Sequence, residues 1–184
     1  MAVTHPKVIV FGRSEAAALL RGCAAADVGM IISIHGRREP PFENGDVSRS
    51  LVLQFDDTET PIGEDPVADY LIDMRQRRAE ASGVSVPPTI EHAQAIIDFA
   101  REIGGTDKSL LCQCQGGVSR SSAAALLCLA AWTGAGEEAY CVDYLRTVRP
   151  CAVPHRGLVV FGDKLLERGG QLIDKLDATQ QYDA

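Results

Sequence analysis

The sequence predicts a single α/β domain over residues 1–184, with a central, largely parallel sheet of about four to five strands flanked by helices. Three observations lead there. Short β-branched apolar runs alternate with helical patterns through the first half. The second half is mostly helical. Finally, 46% of residues are hydrophobic and 23% charged, the balance of a globular chain about one domain long.

The elements follow in order. Lys7 to Phe11 is a short strand, then Gly12, then a helix over Ser14–Leu20 that opens on Ser14 as its cap. Val28 to Ile34 is a second strand. His35 to Gly45, with Pro40-Pro41 inside it, reads as a loop. Leu51 to Phe55 is a third strand, ending at Asp56-Asp57. Residues 58–88 are punctuated by Pro61, Gly63, Pro66 and Pro87-Pro88 around a charged helix of roughly Pro66–Glu80. Two readings of this insert stand side by side: a lid or substrate-selecting arm, or a surface helix that packs Val67, Tyr70 and Leu71 on the domain. Thr89 caps the next helix, whose apolar positions Ala93, Ile96, Ala100 and Ile103 step by three and four before Gly104-Gly105 ends it. Ser109 to Cys112 is a strand, followed by a glycine turn and a helix from about Ser119 to Trp132. Glu137–Val148 and Gly157–Leu176 are two further helices. No repeat and no dividing linker interrupts the chain.

Composition restricts the function classes. The opening Met1–Lys7 and the short apolar Val8–Phe11 do not make a signal peptide, and no run nears the roughly 18 apolar residues of a membrane span, so a cytoplasmic protein is expected. Net charge is −7 without any block of Lys or Arg, which disfavours nucleic acid as a partner. Any site for an anion must therefore make its own local positive field. The six cysteines (Cys23, Cys112, Cys114, Cys128, Cys141, Cys151) sit mostly in apolar patterns and read as reduced core residues. There is no Cys-x-x-Cys pair and the four histidines are scattered, so neither a metal nor another cofactor is expected.

The chemistry is concentrated in Cys114-Gln115-Gly116-Gly117-Val118-Ser119-Arg120-Ser121, between a strand and a helix. A loop entering a helix N-terminus turns several backbone N–H groups into one concavity, and the helix dipole adds positive charge there. Gly116 and Gly117 permit positive φ, and the resulting nest suits the oxygens of a phosphate. Cys114 stands at its mouth, where the same field favours thiolate over thiol. Arg120 can grip two phosphate oxygens with its planar fork, and the Ser121 hydroxyl can donate to sulfur when sulfur leaves.

This run resembles the active-site loop His-Cys-x-x-Gly-x-x-Arg-(Ser/Thr) of the protein tyrosine phosphatase superfamily, closest to its dual-specificity-like and bacterial members. Cys114, Gly117, Arg120 and Ser121 match position by position. The resemblance implies a phosphatase-like α/β fold and hydrolysis of phosphate monoesters, with phosphotyrosine the default substrate and dual specificity its extension. It implies Cys114 as nucleophile, Arg120 as clamp, Ser121 as donor to the leaving thiolate, and Gln115 to Arg120 as the phosphate cradle. The family's general acid lies on a loop after an upstream strand, which matches Asp57, with Asp56 the fallback. Val148-Arg149-Pro150 and Pro154-His155-Arg156 resemble motifs that follow the penultimate helix, with His155 where asparagine is frequent.

Two departures matter. Gln113 replaces the histidine that normally precedes the nucleophile. Cys112 lies two residues before Cys114, either as core filler or as a resolving thiol. The competing functions are a phosphoinositide or inositol-phosphate phosphatase, disfavoured by the absence of lysine in the loop, and a catalytically weak phosphate-binding pseudophosphatase. A rhodanese-type sulfur transferase would have a shorter loop and no acid. Oligomeric state is not legible in the sequence.

Overall fold

Two almost wholly buried strands take the middle of the sheet, and two partly exposed ones take its edges. The computed structural model of the protein describes residues 5–63, 65–83 and 85–180. Met1–Thr4, part of the expected domain and of the reading against a leader, lie outside the described residues, as do residues 181–184. β4 (Ser109–Cys114) is buried throughout and β2 (Val28–His35) nearly so. Such runs suit a parallel sheet covered on both faces. β1 (Val8–Gly12) and β3 (Arg49–Gln54) flank them in the order β1-β4-β2-β3, every neighbouring pair parallel. The expected parallel α/β sheet is thus present, with four strands among the described residues.

One face is covered by α1 (Arg13–Arg21), where Ala16 meets Ile31, Leu111 and Phe42. Against the other pack α3 (Ile90–Ile103), α4 (Arg120–Thr133), α5 (Glu138–Val148), α6 (Arg156–Leu165) and α7 (Gln171–Gln180), around the larger core. Ala93, Ile96, Ala100 and Ile103 of α3 are all buried, as their spacing predicts. No helix among the described residues is long and apolar enough to cross a membrane.

Three local expectations are corrected. The first helix begins at Arg13 and its N-cap is Gly12, not Ser14. β1 runs straight into the helix, and the Glu15 carboxylate reaches back to accept from the Gly12 N–H at 2.7 Å. The helix expected over Gly157–Leu176 is two helices: α6 ends at Leu165, and Glu167, Gly169 and Gly170 then turn the chain with φ of 56°, 63° and 91° before α7 begins. Asp163 then accepts from the N–H groups of Gly170 and Leu172, starting α7.

The third correction concerns the insert. α2 (Pro66–Ala81) is capped by the Asp65 carboxylate, but Val67, Tyr70 and Leu71 are 69%, 62% and 49% exposed. The reading that packs them on the domain fails. α2 is tied down instead through its other side, where Asp69 accepts from the Ile62 and Gly63 N–H groups and Gln76 donates to the Glu59 carbonyl.

Candidate active site

Because all four strands run the same way, their C-terminal ends share one edge of the sheet, the usual place for a site in an open α/β fold. Gly12, His35, Gln54 and Cys114 end the four strands there. The turn from β4 into α4 brings the Cys114–Ser121 run to this edge, with Ser119 as N-cap and Arg120 the first helical residue.

The loop is held by its carbonyls. Gln115 O accepts from the Arg13 N–H at 3.2 Å, Gly116 O and Gly117 O from the Arg149 guanidinium at 3.3 and 2.9 Å, and Val118 O from the Val153 N–H at 3.0 Å. Ser119 O accepts from Ala123 N at 2.9 Å and His155 N at 3.3 Å. In a trans peptide the C=O of one residue and the N–H of the next point oppositely. Five successive carbonyls bound outward therefore turn the N–H groups of residues 116–120 inward, and the Gly117 N–H lies 3.3 Å from the Cys114 sulfur.

Only one of the two glycines uses its conformational freedom. Gly117 has φ 68°, whereas Gly116 is not in the left-handed region, which corrects the expectation for the pair. A Cβ at Gly117 would stand 2.2 Å from Gly12 N and 2.5 Å from Phe11 C. A Cβ at Gly12 would meet Gly116 less severely, at 3.1 Å. Gly117→Ala is expected to displace the loop and cost about 2 kcal/mol or more of stability, from strain and overlap with backbone that cannot yield. Thermal unfolding alongside vanadate binding checks both effects.

The remaining residues surround the sulfur. Ser121 Oγ lies 3.2 Å from Cys114 Sγ. Arg120 is 96% buried, given its 4% relative exposure. Its Nη1 donates to the Phe55 carbonyl at 3.1 Å, and Nη1 and Nη2 donate to Glu39 at 3.2 and 3.1 Å. Its Nε is buried and has no hydrogen-bond partner among the described residues. Burial pushes the Glu39 carboxyl up, but the Arg120 and Gly36 hydrogen bonds outweigh it and hold the group below the usual carboxylate range.

The two adjacent aspartates separate clearly. Asp57 accepts from the Ser119 hydroxyl at 2.6 Å and so stands over the loop. Asp56 instead accepts from the backbone N–H groups of Arg37 at 3.1 Å and Val86 at 2.7 Å, a staple between two loops. His155 donates from Nε2 to the Thr58 carbonyl at 2.7 Å and accepts the Leu158 N–H on Nδ1 at 3.3 Å. This neutral ring fastens the segment after Asp57 to the start of α6.

Gln113 points to the sheet face opposite Cys114 and donates from Nε2 to Ser33 Oγ at 2.5 Å. It makes no hydrogen bond to the sulfur. Cys112 is wholly buried, and both the neighbouring Cys128 thiol and burial push its pKa well up, so it is a protonated core residue.

Three contributors were not identified from sequence: Glu39 behind Arg120, Arg149 behind the loop, and Glu15 paired with Arg149 at 2.9 Å. The Arg149 hydrogen bond, then that of the Gly12 N–H, lowers the Glu15 pKa against a smaller opposing effect of burial. The Arg-Pro motif marked Arg149 without its role; no spacing in the chain signals the other two.

No protein-family model and no curated protein sequence matches the chain. Solved structures do. DUSP15 superposes with a TM-score of 0.54 and 19% identity, over 97% of this chain and 94% of its own. Tk-PTP in its active form gives 0.53 and 17%, over 91% and 99%. Human DUSP28 gives 0.51 and 20%, over 88% and 92%. The matches extend along nearly the whole chain on both sides, and at this identity they speak to architecture: the protein has the fold of the dual-specificity and protein tyrosine phosphatases.

Proposed function

We propose that the protein hydrolyses phosphate monoesters through a phosphocysteine on Cys114, with protein phosphotyrosine as the default substrate and dual specificity as its extension. The observation that carries this reading is the row of five outward-bound carbonyls, which leaves a ring of N–H donors around a cysteine at a helix N-terminus.

The roles follow from position. The Cys114 sulfur attacks phosphorus in line while the nest and Arg120 bind the non-bridging oxygens. The ester P–O bond breaks, and Asp57, as the acid, gives its proton to the departing oxygen. Water then attacks the phosphocysteine, Asp57 takes its proton, and the P–S bond breaks. Ser121, at 3.2 Å, donates to the sulfur as it leaves, and inorganic phosphate departs.

Asp57→Asn is expected to lower kcat for p-nitrophenyl phosphate by about 10²–10⁴-fold and to flatten the fall of kcat at high pH, because a general acid works only while protonated. Asp56→Asn is expected to lower the unfolding temperature while leaving that pH profile in place, because its carboxylate serves backbone N–H groups. Steady-state kinetics across pH, with thermal unfolding of each variant, separates the two aspartates. A wild-type protein that binds vanadate yet turns over no substrate would favour the phosphate-binding pseudophosphatase.

A further inference from the structure

The loop and its acid account for a phosphate but leave unexplained a cleft of about 770 Å³ that begins where they end. Its near wall is Asp57, Val118 and Ser119, so it opens directly beside the nest. Its far wall is α2, whose Ala68 and Ile72 face inward while Val67, Tyr70 and Leu71 face solvent. Ile62, Val153 and Leu176 supply further apolar surface. The size fits a segment of ligand larger than a phosphate, since binding pockets run to roughly 300–1,000 Å³.

The charge of this cleft is one-sided among the described residues. Asp57, Glu59, Asp65, Asp69 and Asp177 line it, with Arg156 the opposing cation. Arg156 lies 2.5 Å from the Asp177 carboxylate, so these two offset each other and Asp57, Glu59, Asp65 and Asp69 set the sign of the cleft. Asp65 and Asp69 spend their oxygens on backbone N–H groups, which orients them without cancelling their charge. A phosphate held by the nest therefore sits at the border of a positive cradle and a negative cleft. A polyanion such as an inositol polyphosphate would place its further phosphates against carboxylates.

Building on the proposed phosphatase function, we propose that this cleft is the leaving-group subsite and selects phosphotyrosyl peptides that carry Lys or Arg beside the phosphotyrosine. The apolar wall takes the aliphatic stem of such a side chain while the carboxylates meet its charged end. α2 is then a substrate-selecting arm, anchored by Asp69 and Gln76 and built to hold the cleft open.

The test compares phosphotyrosyl peptides of one length that carry Arg, Ala or Glu at each position flanking the phosphotyrosine. On the side that reaches the cleft, kcat/KM for Arg is expected to exceed that for Ala by about fivefold, the upper range for one exposed ion pair, with Glu lowest. Glu59→Gln is expected to reduce the ratio, and raising salt from about 0.05 to 0.5 M to compress it, because screening acts on exposed charges. Equal rates, a preference for acidic peptides or inositol phosphates, or a ratio insensitive to both Glu59→Gln and salt would overturn the subsite. Turnover of p-nitrophenyl phosphate reports on the reaction alone. If it is absent, the proposed function fails, and fluorescence anisotropy of the same peptides on Cys114→Ser decides the subsite: tighter binding of the Arg peptides supports it, and equal or absent binding overturns it.

Discussion

Cys114→Ser is expected to abolish turnover of p-nitrophenyl phosphate, by at least about 10⁴-fold, while preserving the fold and phosphate binding. The substitution exchanges sulfur for a smaller oxygen at a site 2% exposed, so packing changes little. What it removes is the proposed nucleophile. A serine hydroxyl is far more basic as its anion, and among the described residues no histidine or carboxylate hydrogen-bonds to this position. The Gly117 N–H and the Ser121 hydroxyl lie against the sulfur. The donors proposed to bind phosphate belong to the backbone and Arg120, and those remain. The measurement is therefore paired: steady-state turnover, together with vanadate or phosphopeptide affinity by calorimetry. Substantial residual turnover would place the nucleophile elsewhere.

The second large effect is at Arg120. Arg120→Lys keeps the charge and is expected to lower kcat/KM by about 10³-fold, with phosphate and vanadate binding weakened in parallel. The guanidinium is anchored from behind by Glu39 and the Phe55 carbonyl through its two Nη atoms, while Nε has no hydrogen-bond partner among the described residues. A lysine can satisfy Glu39 or approach the phosphate, but one ammonium cannot reproduce the fork. The negative charges of Glu39, Cys114 and Asp57 all favour the protonated guanidinium against the cost of burial, so the wild-type clamp stays charged. Glu39→Gln is the complementary variant: it should loosen the clamp while keeping the fork, and so cost less than Arg120→Lys.

Much of the architecture is legible because it depends on local pattern. The apolar runs within β2 and β4 mark them as strands, and the three-and-four spacing of Ala93, Ile96, Ala100 and Ile103 gives α3 its buried face. Where sequence reading failed, one local signal outweighed another. Ser14 looked like a cap, but Glu15 performs that task for Gly12. The apolar pattern over 157–176 runs across a turn at residues 166–170, where Glu167 and the glycine pair 169–170 take positive φ. Val67, Tyr70 and Leu71 had the composition of a buried stripe, yet no local rule says whether a partner surface lies opposite.

For the site, the sequence alone determined the Cys114–Ser121 run, because the nest, the helix N-terminus, the clamp and the serine are all contiguous in the chain. It also placed an aspartate pair after the third strand, without a physical means of separating its members. The tertiary structure decided the rest. Asp57 lies over the loop while Asp56 staples backbone elsewhere, since adjacent residues leaving a strand point apart. Glu15, Glu39 and Arg149 enter from segments far away in sequence, and each acts only through the fold that delivers it. The acidic cleft is of the same kind: its walls come from residues 57–72, 118–119, 153–157 and 176–177, and no single stretch contains it. Local chemistry can be written in one run of residues; the charge around it is a sum over the surface that folding brings together.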